Sequence, residues 1–160
     1  MNKEYLAELD ESAQIEYVKA ALPEEVLSLL PQYSDDRLTK LTPSIIERIH
    51  NKAEITAAAE AGEYSWAFTE PDYQSKLLKW KNDDSANDAL PRRTEALKLL
   101  DEADFSSPDT IKSALWSYAE EVGKGELLWP LRVALTGLER SPDPFTCAWV
   151  LERDETQRRI

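Results

Sequence analysis

Cysteine is nearly absent from this 160-residue sequence, and its one copy, Cys147, has no partner for an internal disulfide. A buried thiol in a reducing compartment is therefore expected, and a disulfide scaffold is excluded. Glycine occurs four times and β-branched residues form no alternating runs, which argues against sheet and for helix. One histidine, His50, lies between Glu47 and Glu54 with no second histidine, serine or cysteine at ligand or triad spacing. No metal site or catalytic residue is expected, and His50 reads as a solvated helix residue. No apolar run approaches the roughly 20 residues of a membrane span, and the start is charged instead of leader-like. These absences imply a soluble cytoplasmic protein without a membrane partner.

What is present is an apolar content of 42%, with five Trp, six Tyr and three Phe, enough to build a core. The formal charge of −12 is unevenly distributed. Residues 1–36 carry nine acids against two bases and residues 82–125 ten against five. The blocks 37–81 and 126–160 hold six acids against seven bases and six against five, so they balance. Such a chain repels nucleic acid in general but permits a local contact that reads bases.

The run Leu127–Phe145, LLWPLRVALTGLERSPDPF, organises the rest. Pro130 suits a first helical position and Gly137 the left-handed residue past a C-terminus, so a two-turn helix is expected there. Leu131, Val133, Ala134 and Leu135 cover more than one face, and Arg132 is the only charge. Ser141-Pro142 reads as a cap and first-position proline for a further helix, with Phe145 and Trp149 on one face.

Upstream, the pattern predicts helices over 2–9 and 11–21, the second capped by Asp10, and a short one over 23–30. Ser34 is the expected cap of a segment led by Asp35 and Asp36. Thr42-Pro43 is expected to open the longest helix, running to Ala61 with Gly62 as its stop. Its core stripe would be Ile46, Ile49, Ala53 and Ala57, with Arg48 and Lys52 sharing another face. Tyr64, Trp66 and Phe68 read as core aromatics in a connection. Short helices are expected over 73–81, from Pro91 to Ala103, and from Ser107-Pro108 to Gly123. The polar stretch 82–89 reads as a loop or a frayed helix end, Arg92-Arg93 as exposed residues in preference to phosphate contacts, and Asp154 as the cap of a last turn. The fold class is all-α: a helical bundle of two packed subdomains, 1–62 and 63–160.

The eight residues Pro130–Gly137 followed by Ser141-Pro142-Asp143-Pro144-Phe145 resemble the C-terminal anticodon-binding domain of bacterial glutamyl-tRNA synthetases. There, P-L-R-x-A-L-T-G precedes (S/T)-P-G-(L/I)-F at this distance. Glu47-Arg48-Ile49 with Glu54-Ile55 resembles a second family helix, although His50–Ala53 departs from its Thr-Leu centre. Asp143, Pro144 and Glu152 stand where the family has glycine, an aliphatic residue and glycine.

The resemblance implies that Arg48, with Lys52 beside it, reads the third anticodon base. It also implies that Arg132, Ser141, Pro142, Pro144 and Phe145 surround the others. A planar, donor-only guanidinium suits the acceptors of cytosine and meets donors on guanine, so glutamine tRNA would be rejected. The implied partners are a tRNA, glutamate tRNA first, and the catalytic domain of a parent glutamate–tRNA ligase, the protein being a monomer. The His-x-Gly-His and Lys-x-Ser-Lys segments of the class I catalytic domain do not occur here. No cofactor is expected in this chain, ATP and magnesium belonging to that other domain. The rival expectation is a diverged helical protein-interaction or scaffold domain that no longer binds RNA.

Overall fold

A computed structural model describes residues 3–29 and 35–160. Among them there is no strand, and the all-α expectation holds. The chain divides into two compact units, Met1–Glu70 and Pro71–Ile160.

The first unit contains α1 (Lys3–Glu8), α2 (Glu11–Ala21), α3 (Glu24–Leu27), α4 (Asp35–Arg48) and α5 (Lys52–Glu60). Asp10 caps α2 as expected, its carboxylate accepting the Ala13 amide at 2.8 Å. Helix α2 packs on α4 and α5, and α1 on α4, around buried Leu6, Val18, Leu38, Leu41, Ile45 and Ile55. Trp66 and Phe68 are buried as core aromatics. The expected Ser34 cap lies outside the described residues.

The long helix expected from Pro43 to Ala61 is in fact two. Pro43 lies inside α4, and the break falls at residues 49–51, where Asn51 turns extended and its side chain accepts the Glu54 amide at 3.1 Å. The Glu54 carboxylate in turn accepts the His50 amide at 2.8 Å. An asparagine with glutamate three residues on offers the backbone an alternative to continuing the helix, and here it prevails. The restart resets the helical phase. Ile46 and Ile49 face the core, but Ala53 and Ala57 are exposed, and Ile55 and Ala59 point inward instead.

The second unit opens with 3-10 turns at Ser75–Leu78 and Ala86–Ala89, where an α-helix over 73–81 and a loop were expected. Then come α6 (Leu90–Asp101), α7 (Pro108–Val122), α8 (Lys124–Thr136) and α9 (Pro144–Arg159). Helix α8 packs against α7, α9 and α6, burying Leu127, Leu131, Val133, Ala134 and Leu135. Helix α7 starts as expected, with the Ser107 hydroxyl accepting the Thr110 amide, and ends at Gly123 with φ of 106°.

Two starts differ from expectation. Helix α8 begins at Lys124, not Pro130, which lies in its interior, although Gly137 closes it in the left-handed conformation at φ 70°. Helix α9 is capped by Asp143, not Ser141, because the Ser141 hydroxyl donates to the Pro142 carbonyl at 2.7 Å. The Asp143 carboxylate accepts the Thr146 amide at 2.9 Å, and Pro144 takes the first helical position.

Helix α9 is interrupted at Glu152, whose φ of 68° and ψ of 171° fall in a region natural to glycine. Asp154 lies within the helix beyond the break and not at its start. The interruption aims two arginines at other helices. Arg153 donates to the carbonyls of Leu100 and Asp101, at the end of α6, and of Ala103 just past it. Arg159 is buried, donating to the Leu135 carbonyl at 2.8 Å and pairing with Glu155 at 2.7 Å. Glu155 also accepts from Arg158, and the hydrogen bonds and charges of these two arginines outweigh burial and hold its carboxyl down at about 2.

Two outcomes are expected. Glu152→Gly relieves the backbone strain and raises stability by about 1 kcal/mol, measured as a higher urea midpoint, whereas Glu152→Ala does not. The depressed Glu155 pKa gives stability that is complete above the unfolded carboxyl's range and is lost as pH falls toward about 2. Urea midpoints of the wild type should therefore decline between about pH 5 and pH 2 more steeply than those of Glu155→Gln.

Candidate nucleic-acid interface

In the second unit the site grows from Pro130. Having no amide proton, it leaves the carbonyl of Glu126, one turn back, without its helical donor. Arg92 of α6 supplies one: its Nε donates to that carbonyl at 2.8 Å, and its Nη2 pairs with Asp83 at 2.6 Å. Both side chains are largely buried, at 16% and 6% exposed. Arg93 donates to the Ile160 carbonyl. The two arginines expected on the surface are thus half-buried and engaged by backbone carbonyls, and for Arg92 the reason is that a helix carbonyl without a donor costs more than ordering a guanidinium.

Past Pro130, Arg132 is half-buried, and its Nε is buried without a hydrogen-bond partner. It lines a cavity of about 190 Å³ together with Trp80, Lys124, Gly125, Leu128 and Trp129. The Trp129 indole donates to the Leu77 carbonyl at 2.8 Å, which fixes its ring, and Trp80 lies against it with centroids 5.8 Å apart. A Cβ on Gly125 would come within 2.3 Å of the Trp80 ring, so only glycine lets that ring lie on α8. Flat aromatic walls beside a planar donor suit an unstacked heterocycle that presents acceptors.

Of the other expected site residues in this unit, Ser141 and Pro142 are half-buried, with the Cys147 thiol 3.4 Å from the Pro142 carbonyl. Pro144 and Phe145 are buried, Phe145 meeting Trp116 edge-on at 6.5 Å. These two belong to the core beneath the helix start.

In the first unit, Arg48 is exposed in the last turn of α4, and its side chain forms no hydrogen bond or ion pair among the described residues. Its charge is felt by Tyr64. Burial chiefly, and Glu63 next, push that phenol up to about 12, with Arg48 opposing them. Lys52 is the first residue of α5, its Nζ 5.0 Å from the centre of the Tyr17 ring. Arg48 and Lys52 thus occupy two helices separated by the Asn51 break and do not share one helical face. Lys52, Asn51, Ala53 and Tyr17 line an open cavity of about 550 Å³. His50 is 69% exposed and lies 3.4 Å from Glu54, in the break instead of in a helix. Among the described residues no group of three or more His, Cys, Asp or Glu is placed to hold a metal. Nor is any helix among them long and apolar enough to cross a membrane.

Trp80, Lys124, Trp129 and Tyr64 were not singled out by the sequence as site residues. Trp129 carries a signal, standing next to Pro130 in the motif. Trp80 has none, since its approach depends on the small size of a glycine in a distant helix.

The family described as anticodon binding domain matches residues 8–160. The glutamate–tRNA ligase of Lachnoclostridium phytofermentans is 30% identical over 167 residues, spanning 100% of this chain and 31% of the relative. That of Clostridium acetobutylicum is 30% identical over 171 residues, spanning 100% of this chain and 32% of the relative. The chain therefore spans about a third of the length of the curated relatives it matches, in their C-terminal portion. A solved glutamate tRNA ligase from Elizabethkingia meningosepticum shares the fold, with a TM-score of 0.69 at 22% identity, over 99% of this chain and 30% of that one.

The α8 geometry makes Arg92 testable. Arg92→Met leaves the Glu126 carbonyl without its side-chain donor and the largely buried Asp83 carboxylate without its cation, and should cost about 3 kcal/mol in urea unfolding. Pro130→Ala restores a helical donor to Glu126, so the loss caused by Arg92→Met should be smaller in that background.

Proposed function

The chain belongs to the anticodon-binding domain family, and from that premise we propose that it reads the unpaired anticodon bases of a tRNA, glutamate tRNA in the first place. It does so as the C-terminal part of a glutamate–tRNA ligase. The observation that carries this reading is the Arg132 cavity: a guanidinium with a buried, unpartnered Nε beside two tryptophan rings. Arg132 lines the cavity, and a base edge bearing acceptors pairs with its guanidinium while the rings stack on the base. Arg48, exposed and without a carboxylate partner, is the second reader and faces the third anticodon base. Lys52 beside it contributes charge, and Ser141 and Pro142 border the nucleotides at the other end, over Pro144 and Phe145.

The acidic balance of the chain keeps non-specific RNA away, so affinity depends on these few contacts. On this reading ATP and magnesium belong to the catalytic domain of the ligase, which is the second partner, and the protein works in the cytoplasm as a monomer.

Titration of the chain with glutamate and glutamine tRNAs at low salt tests the reading. The expected result is tighter binding of glutamate tRNA, a preference lost in Arg48→Gln, and an affinity loss of about 10-fold or more for both tRNAs in Arg132→Gln. Absence of binding to either tRNA at low salt overturns it in favour of a helical protein-interaction domain.

A further inference from the structure

Lysines in this acid-rich chain have many carboxylates to choose from, 31 acids against 19 bases. Three lysines of the second unit nonetheless lie on tryptophan rings. Lys81 sits 5.0 Å from the Trp80 centre, and Lys112 and Lys124 sit 4.5 Å and 4.7 Å from the Trp116 centre. None of the three forms an ion pair among the described residues. An aromatic face holds an ammonium in place without neutralising it, whereas a carboxylate cancels its charge. Two like charges on one ring also repel, and an anion bound between them removes that cost.

Their placement gives the anion's identity. Lys112 stands one turn before Trp116 in α7, and Lys124 is the first residue of α8. Lys124 lines the Arg132 cavity as well as covering Trp116, and Trp80, which carries Lys81, is another wall of that cavity. Lys124 is therefore itself a wall of the cavity that suits a base, Lys112 shares its ring, and Lys81 lies on another wall. In a single strand, the groups next to a stacked base are its phosphates, spaced so that each side of the base has one.

We infer that Lys112 and Lys124, displayed on Trp116, bind the backbone phosphate of the unpaired RNA strand whose base enters the Arg132 cavity, with Lys81 on Trp80 as a further phosphate contact. This rests on the RNA-reading function proposed above and adds to it the part that supplies charge and leaves base choice to the arginines. The contacts position the strand and carry no sequence information.

The test is the salt dependence of tRNA binding by the full chain, measured from about 50 to 200 mM salt on wild type and on Lys112→Gln/Lys124→Gln. Lys19→Gln/Lys98→Gln serves as a control with the same change in net charge. Each phosphate contact on a single strand contributes about 0.7 to the slope of log affinity against log salt, so the slope should fall by about 1.4 in the first double variant. Binding of glutamate and glutamine tRNAs should weaken by the same factor, leaving their ratio unchanged. The control should keep the wild-type slope, and Lys112→Arg/Lys124→Arg should restore it. Unfolding midpoints of the variants identify any general loss of fold.

Wild-type binding with an unchanged slope in Lys112→Gln/Lys124→Gln, or an equal fall in the control, overturns this inference and leaves the anticodon reading standing. A changed tRNA ratio overturns it too, since the lysines would then be reading bases. Failure of the wild type to bind tRNA removes the anticodon reading itself.

Discussion

The second unit depends on a carbonyl that its own helix cannot satisfy. Pro130 sits inside α8 and withholds the donor that Glu126 needs, and Arg92 reaches from α6 to provide it while Asp83 holds the other end of the guanidinium. The proline would ordinarily break or kink a helix. Here the break is answered by a side chain from another element. The answer ties α6 and the turn around Asp83 to the first turn of α8, at Glu126, on the helix that carries Arg132. Local sequence alone makes Pro130 a helix start; the Arg92 contact is what lets it be a helix middle.

The same logic recurs at other helix ends. Arg153 serves the end of α6 with three hydrogen bonds, and Arg159 serves the end of α8 from within a pair with Glu155. Both lie beyond Glu152, where an unfavourable backbone geometry redirects α9 so that its arginines can reach those carbonyls. Four arginines, Arg92, Arg93, Arg153 and Arg159, are thereby engaged inside the unit. Arg132 differs in lining a cavity, with its Nε buried and unpartnered as the Nε of Arg93 also is.

That division is how a chain of net charge −12 could meet RNA on the proposed reading. Most internal arginines are spent on carbonyls and carboxylates. Among the cations without such partners, Lys81, Lys112 and Lys124 lie on tryptophan rings of one unit and Arg132 lines a cavity beside two tryptophans, while Arg48 and Lys52 stand at the α4–α5 break of the other. Charge is scarce but locally concentrated, which favours reading over general attraction.

The sequence by itself determined the helical class, the caps at Asp10 and Ser107, the stops at Gly123 and Gly137, and the burial of Trp66 and Phe68. These are local matters: a side-chain acceptor three residues before an amide, a glycine free to take positive φ, an aromatic with more to gain inside than out. It also carried the motif that holds Arg132. Only the tertiary structure decided that Pro43 and Pro130 lie within helices and that Arg92 and Arg93 are engaged by carbonyls of other elements. It alone placed Trp80 on Gly125 and Lys124 with Lys112 on Trp116. The reason is that a proline's missing donor and a cation's choice of partner are settled by what another part of the chain supplies, and no local pattern encodes that supply.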